Sequence, residues 1–335
     1  MIIANLSNAM GVSGNEFEIR SLLYKLAKKY ADSIKIDAMG NIVAYKKGAK
    51  SKRKLMIAAH MDEVGFVITG IDDKGFLKIA RVGGIDPRIC VDKRVIVGRD
   101  KIPGVITSKP IHLLNKSERE KIVPFSSLLV DIGAKDRDEV KKYLKLGDSI
   151  VFDTIFEKLN QKIIKGKAFD DRLGCYIVLE LLKKNYEDDL YAVFTVQEEI
   201  GLRGANISAY NIMPDYAVIL EATGAQDFPN KKDINISPEL GKGTCVTIKD
   251  GNSFASPELL DMSIKLADKY NIPYQFKKTG VGGTDAGVIQ ISGKGVKTIV
   301  FATPARYIHS PVSISSMDDV KSTLGLADVL LNNIK

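Results

Sequence analysis

Tryptophan is absent from this 335-residue chain, and it has only three cysteines and three histidines. With aromatics at 7%, the stacking platforms on which sugar-binding grooves are built are scarce. Cys90, Cys175 and Cys245 are odd in number and form no C-x-x-C pair, which argues against a disulfide framework and against thiolate-bound zinc. A reducing cytoplasm fits this usage. No apolar run approaches the roughly 20 residues of a membrane span, and Met1–Ser7 lacks the basic flank of a secretory signal. The expected location is cytoplasmic, with no membrane partner. Net charge is +8, but the lysines are scattered and no basic stripe interleaves with aromatics. The densest block, Lys46–Lys54, reads as a solvated loop between two strands. No nucleic-acid partner is expected, and the positive surplus would instead steer acidic peptides.

What is present has the texture of an α/β protein. Hydrophobic residues make up 45% and charged residues 27%, ordinary for a globular fold, and the length favours two domains. Ser13 to Glu16 reads as a capping box opening a helix with Phe17, Leu22, Leu23 and Leu26 on its apolar side. Strands are predicted at Ile34–Asp37, Asn41–Tyr45 and Leu55–His60. From Gly65 to about Phe156 short alternating strands recur at Phe76–Ala80, Arg94–Val97 and Gly104–Thr107, with Gly and Asp turns between them and one helix near Arg137–Leu144. The α/β pattern resumes at Lys167, with helices at Asp171–Lys183, Pro257–Lys269 and Met317–Asn332 and strands at Ala192–Val196 and Ala217–Leu220. The predicted architecture is a mainly parallel sheet sandwiched by helices. Residues 1–65 and 157–335 form the main domain, and 66–156 form an inserted small β-rich domain.

The chemistry gathers at strand ends. Leu55–Ala59 is a buried-strand pattern that delivers His60 and, two residues on and so on the same face, Asp62. A histidine there can bind a metal while a nearby carboxylate fixes its tautomer; the plainer role is a satisfied core histidine. His309 follows another apolar run, Thr298–Ala302. Acidic groups also stand beside apolar sequence at Asp170-Asp171, Glu198-Glu199 and Glu221. Carboxylates at such positions are costly unless paired or bound to metal, and the crevice beyond parallel strand ends is where ligands bind. Two histidines and at least three carboxylates exceed the needs of one zinc and favour a paired-metal site. His112, without acidic neighbours, reads as structural. Glu63 reads as an exposed turn residue, and Asp171-Arg172 as an ion pair at a helix N-terminus.

These motifs, His60-Met61-Asp62-Glu63-Val64-Gly65, Phe169-Asp170-Asp171-Arg172, Gln197-Glu198-Glu199, Gly282-Gly283-Thr284-Asp285-Ala286 and Tyr307-Ile308-His309-Ser310-Pro311, occur in the order seen in the glutamyl and tetrahedral aminopeptidase family. The resemblance extends to Met10–Gly14 and Met39-Gly40-Asn41. It implies a co-catalytic two-metal metallopeptidase, with two divalent ions per chain, zinc in the first place and cobalt or manganese as alternatives. His60 and Glu221 would hold one ion and His309 and Glu199 the other, with Asp170 bridging. Asp62 would orient His60, and Glu198 would be the general base. Gly283, Thr284 and Asp285 are the substrate-binding candidates, a helix cap being the plainer role of Asp285. Glutamate at 221 departs from the aspartate more usual in the family, and keeps a related carboxypeptidase or deacylase open as the alternative. An endoglucanase and a non-catalytic scaffold are the more distant readings. The resemblance further implies peptide substrates and self-association through the inserted domain, into dimers and on to a dodecamer.

Overall fold

The four strands at the centre of the main sheet are apolar along almost their whole length, because helices cover both of its faces. In the computed structural model, which describes residues 1–227, 238–277, 280 and 282–334 (for Glu118 the backbone alone), these strands are Asp189–Thr195, Lys54–His60, Tyr216–Gly224 and Lys297–Arg306. They lie side by side in that order, all parallel. Alternation sorts their side chains. Leu55, Ile57 and Ala59 join the core beneath the helices Phe169–Leu182 and Met317–Leu331. Met56 and Ala58 face the other layer, packed with Ala205 and Ala209 of the helix Arg203–Ile212.

Outside this centre the sheet turns antiparallel. Ile42–Lys46 and Ser33–Ile36 extend one edge, and Ser313–Ser316, Ile163–Gly166 and Glu157–Lys158 extend the other. Thr244–Thr247 pairs antiparallel with Lys297–Arg306 and parallel with Tyr274–Phe276. Four of the ten pairings among the described residues are parallel, three of them at the centre, so the sheet is mixed rather than mainly parallel. The physical reason is connection length. Ser33–Ile36 and Ile42–Lys46, like Glu157–Lys158 and Ile163–Gly166, are joined by a few residues, which suffice for a hairpin but not for a parallel crossover.

Between Gly65 and Phe152 six strands close into a barrel, Gly65–Ile71, Leu77–Val82, Leu129–Asp131, Ile102–Thr107, Arg94–Val97 and Ser149–Phe152, with every pairing antiparallel. It has its own core, in which Phe66 stacks on Phe125 and meets the edge of Phe152. The helix expected near Arg137–Leu144 is a short turn, Arg137–Val140, capped by the Asp136 carboxylate.

The first helical expectation needs correction. The helix is Phe17–Ala27, but it buries Ile19, Leu23 and Ala27 while Phe17 is 57% exposed. Ser13 does not cap it: the N-cap lies three residues later, at Glu16, and the Ser13 hydroxyl donates to Asp62 Oδ2 at 2.6 Å. Among the described residues, no helix is long and apolar enough to cross a membrane.

Candidate active site

The central strands deliver their polar residues to one rim. His60 ends its strand opposite Thr195, and Glu221 lies opposite Ala302 of the strand that leads on to His309. Glu198 and Glu199 are adjacent, so on a regular strand they would diverge. The strand stops at Thr195 and Gln197 is left-handed at φ 55°, which turns the chain so that both carboxylates reach the site. Glu198 Oε2 lies 4.0 Å from His60 Nε2, and Glu199 Oε1 lies 3.1 Å from His309 Nε2. Asp170 stands between the histidines, with Oδ1 3.0 Å from His60 Nε2 and Oδ2 3.3 Å from His309 Nε2. Glu221 Oε1 is 3.5 Å from His60 Nε2. Asp62 sits behind them. Its carboxylate accepts from the Glu198 and Glu199 amides at 3.1 and 3.3 Å and from Ser13. His60 Nδ1 meets the Asp62 carbonyl at 3.2 Å and its carboxylate only at 3.6 Å. Asp62 thus anchors the Glu198–Glu199 turn as well as backing His60.

The electrostatics are those of a cation site. Burial, reinforced by Glu221, Asp285 and Glu199 against the pull of His60, pushes the Glu198 carboxyl up to about 10. Burial likewise raises Glu221 to about 7. Burial disfavours charge on His309, but Asp170 and Glu199 outweigh it and raise the imidazole to about 11. Burial also opposes ionisation of Asp170, and the two histidines overcome it and hold its carboxyl well below the ordinary range. Protons therefore balance this cluster of carboxylates when no metal does. A divalent ion is the stronger counter-charge, and it inverts this order by displacing them. Among the described residues Glu199 Oε1 is buried with no hydrogen bond, although His309 lies close by. Donor atoms of Asp170, Glu199 and His309 gather within 4.8 Å of one another, as do those of His60 with Glu198 and Glu199, and of His60 with Asp171 and Glu221. These imidazole and carboxylate donors suit zinc and related divalent ions.

Residues 40–326 match the model of the M42 glutamyl aminopeptidases. The chain belongs to this family. It is a metal-dependent aminopeptidase. The lysyl aminopeptidase of Pyrococcus furiosus is 35% identical over 342 aligned positions, covering 100% of this chain and 97% of that protein. The TET aminopeptidase of a marine-sediment thaumarchaeon superposes with a TM-score of 0.96 at 32% identity, covering 100% of this chain and 96% of that one. The Pyrococcus horikoshii TET1 peptidase, which assembles into a tetrahedron or a large octahedral shell, gives a TM-score of 0.88 at 31% identity with 99% of each chain covered.

The aminopeptidase's carboxylates open onto a cavity of about 580 Å³ whose lining includes Thr223, Asn252, Lys277, Gly283 and Thr284. Asp285 is not in that lining. It is buried behind it, where Oδ2 accepts from the Thr195 hydroxyl at 2.6 Å and Oδ1 has no hydrogen-bond partner among the described residues. It precedes the short helix Ala286–Ile289 without capping it through its side chain. His112 lies exposed on a turn at Ile111–Leu113.

Three features escaped the sequence reading. Glu63 is not an exposed turn residue: it is 4% exposed and accepts from Lys167 Nζ at 2.7 and 2.8 Å and from Arg172 at 3.3 Å. Arg172 therefore pairs with Glu63 rather than Asp171. Asp171 is wholly buried, with one oxygen accepting from the Gly174 amide and the other without a hydrogen bond among the described residues. Gly84 packs on the His309 ring, where a Cβ would come 3.3 Å from Nδ1. Clues existed for the first two, since Glu63 belongs to the His60 motif and Asp171 to the Asp170 motif. Gly84 carries none, because the contact joins segments more than 200 residues apart.

Proposed function

We propose that this enzyme is a co-catalytic two-metal aminopeptidase acting on short peptides. The observation that carries the reading is Asp170, whose two oxygens address His60 and His309 separately. His60 and Glu221 would hold one ion, His309 and Glu199 the other, with Asp170 shared between them. Zinc is the first choice, and cobalt or manganese would serve the same donors. When bound, such a pair polarises a scissile carbonyl and acidifies a water. Glu198 then has the proton work. Its carboxylate gathers within 4.8 Å of donor atoms of His60 and Glu199, and it would take the proton of the attacking water and pass it to the leaving amine. Asp62 and Ser13 hold the turn that carries Glu198. The choice of an aminopeptidase over a carboxypeptidase or deacylase is supported by the family match. A glycosidase would need two carboxylates but neither histidine.

Further parts of the proposal concern organisation. Residues 1–65 and 157–335 would form the catalytic domain, with 66–156 inserted as a β-rich domain that carries self-association into dimers and a dodecamer. The closed barrel and the shell-forming TET1 relative support this reading. A cytoplasmic location is supported by three unpaired, buried thiols.

Stripping the protein with a chelator and reloading it with zinc, cobalt or manganese tests the core claim. Hydrolysis of an aminoacyl anilide should vanish and return, with metal content approaching about two ions per chain. An N-acetylated substrate should resist. Full activity at one ion per chain, or equal cleavage of the blocked substrate, would overturn the reading.

A further inference from the structure

Two lysines are buried among the described residues, Lys167 at 4% and Lys277 at 8% exposure. Burying an ammonium is costly unless a partner supplies the opposite charge. Lys167 has one, with two hydrogen bonds to Glu63. Lys277 has no carboxylate partner within ion-pairing distance among the described residues, and it lines the cavity that holds Asp170, Glu198, Glu199 and Glu221.

Sheet register places it relative to the reacting end. Glu221, Ala302, Cys245 and Gln275 stand opposite one another across four adjacent strands. Three inter-strand steps separate the first from the last, about 14 Å at the usual strand spacing. Lys277 is two residues beyond Gln275, on the same face by alternation, and its amide continues the pairing by donating to the Val246 carbonyl. The carboxylate end and the ammonium are therefore held on separate strands at a distance that an amino acid or short peptide can span. Gln275 is not free to compete, because its side-chain amide donates to the carbonyls of Glu239 and Gly243.

We propose that Lys277 is the specificity-determining residue of this cavity and that it receives a carboxylate of the substrate. Two sources share that chemistry: the acidic side chain of an N-terminal Asp or Glu, and the C-terminal carboxylate of a short peptide. The proposal rests on the aminopeptidase reading, which fixes the α-amine and scissile carbonyl at the acidic end. A buried ammonium meeting a carboxylate forms a charge-assisted hydrogen bond, stronger than a neutral one.

The test is a substrate panel on the metal-loaded, full-length protein and its Lys277→Met and Lys277→Arg variants. One arm compares glutamyl with leucyl p-nitroanilide. The other compares Leu-Gly-Gly with its C-terminal amide. In the parent protein at least one carboxylate-bearing member should be preferred over its neutral counterpart. That preference ratio in kcat/KM should fall by about tenfold to a hundredfold in Lys277→Met, as expected for a hydrogen bond to a charged group, with the change mainly in KM. Lys277→Arg should retain most of it. Loss in the first arm assigns the N-terminal side chain, and loss in the second assigns the C-terminus. A ratio unchanged in both arms overturns the proposal while leaving the aminopeptidase reading intact. So does a uniform fall for charged and neutral substrates, which would mark Lys277 as structural. A parent protein that cleaves no free-amine substrate would bring down both.

Discussion

Replacing Glu63 with Gln should harm this enzyme more than replacing Lys167 with Met, although both changes break the same pair. Glu63 is flanked by two cations, Lys167 and Arg172, all three nearly solvent-free. Lys167→Met removes two hydrogen bonds to Glu63 but leaves a charge-balanced Glu63–Arg172 pair at 3.3 Å, and the Ala9 carbonyl keeps Arg172 as a donor at 3.0 Å. Burial, reinforced by Arg172 against the attraction of Glu63, already holds the Lys167 ammonium below its ordinary pKa, so its loss also relieves a repulsion. A cost of about 1.5–3 kcal/mol follows, the range for a hydrogen bond to a charged group. Glu63→Gln instead leaves two buried cations facing one neutral amide. Breaking a buried pair this way costs about 3–5 kcal/mol. The effect should reach the active site, because the Glu63 amide donates to the Gly11 carbonyl and its own carbonyl accepts from Ser13, and Ser13 holds Asp62. Urea unfolding followed by circular dichroism and by tyrosine fluorescence, since tryptophan is absent, would rank the variants, with metal retention measured in parallel. If Lys167→Met proved the more damaging, or if Glu63→Gln cost less than about 1 kcal/mol, net charge in this triad would not govern its stability and the reasoning would fail.

Other expectations are quicker to state. Glu198→Gln should lower kcat by roughly 10²–10⁴, the usual contribution of a general base, while bound metal stays near the parent level; normal turnover, or an emptied site, would refute the division of labour between Glu198 and Glu199. Arg306 bonds both oxygens of Asp227 at 2.6 and 2.7 Å and holds that carboxyl below its ordinary value. The stability this supplies is present above the unfolded carboxylate pKa of about 3.9 and disappears as pH falls through the lower folded value. The gap in unfolding midpoint between the parent and Arg306→Met should therefore be open at pH 6 and closing by pH 3, and a gap that widened in acid would reverse the sign of the argument. Exchanging residues 68–153 for a Gly/Ser linker should leave a smaller assembly by light scattering with poorer turnover; a truncated protein that kept its assembly would place self-association elsewhere.

How much was legible in the sequence depended on whether a residue's role was set along the chain or across it. His60 was legible because a run of apolar residues followed by a polar one marks a strand end, and strand ends of a parallel sheet share a rim. The helix Pro257–Lys269 was legible to the residue, since proline suits the first helical turn and the apolar spacing runs unbroken. The antiparallel edges were not, because strands such as Ile163–Gly166 and Ser313–Ser316 show no pattern that names a partner 150 residues away. Ser13 shows the limit most clearly. Its S-x-x-E spacing satisfies a local rule, yet the hydroxyl goes to Asp62, 49 positions on.

The same contrast explains why Glu63 was misjudged. A lone glutamate after His-Met-Asp in a short connection has the composition of an exposed turn, and nothing nearby in sequence balances its charge. Its partners, Lys167 and Arg172, flank Asp170 and arrive from the far side of the barrel segment. Those partners tie the segment that carries His60 and Asp62 to the one that carries Asp170, while Ala9 and Leu6 carbonyls tie both to the N-terminal helix Ile2–Asn8. Two of the residues that would hold metal, His60 and Asp170, are thus mounted on segments that meet at a buried ionic joint. Metal binding at such a site draws on the stability of the joint, because an ion held by preformed donors stabilises only the state in which those donors are assembled.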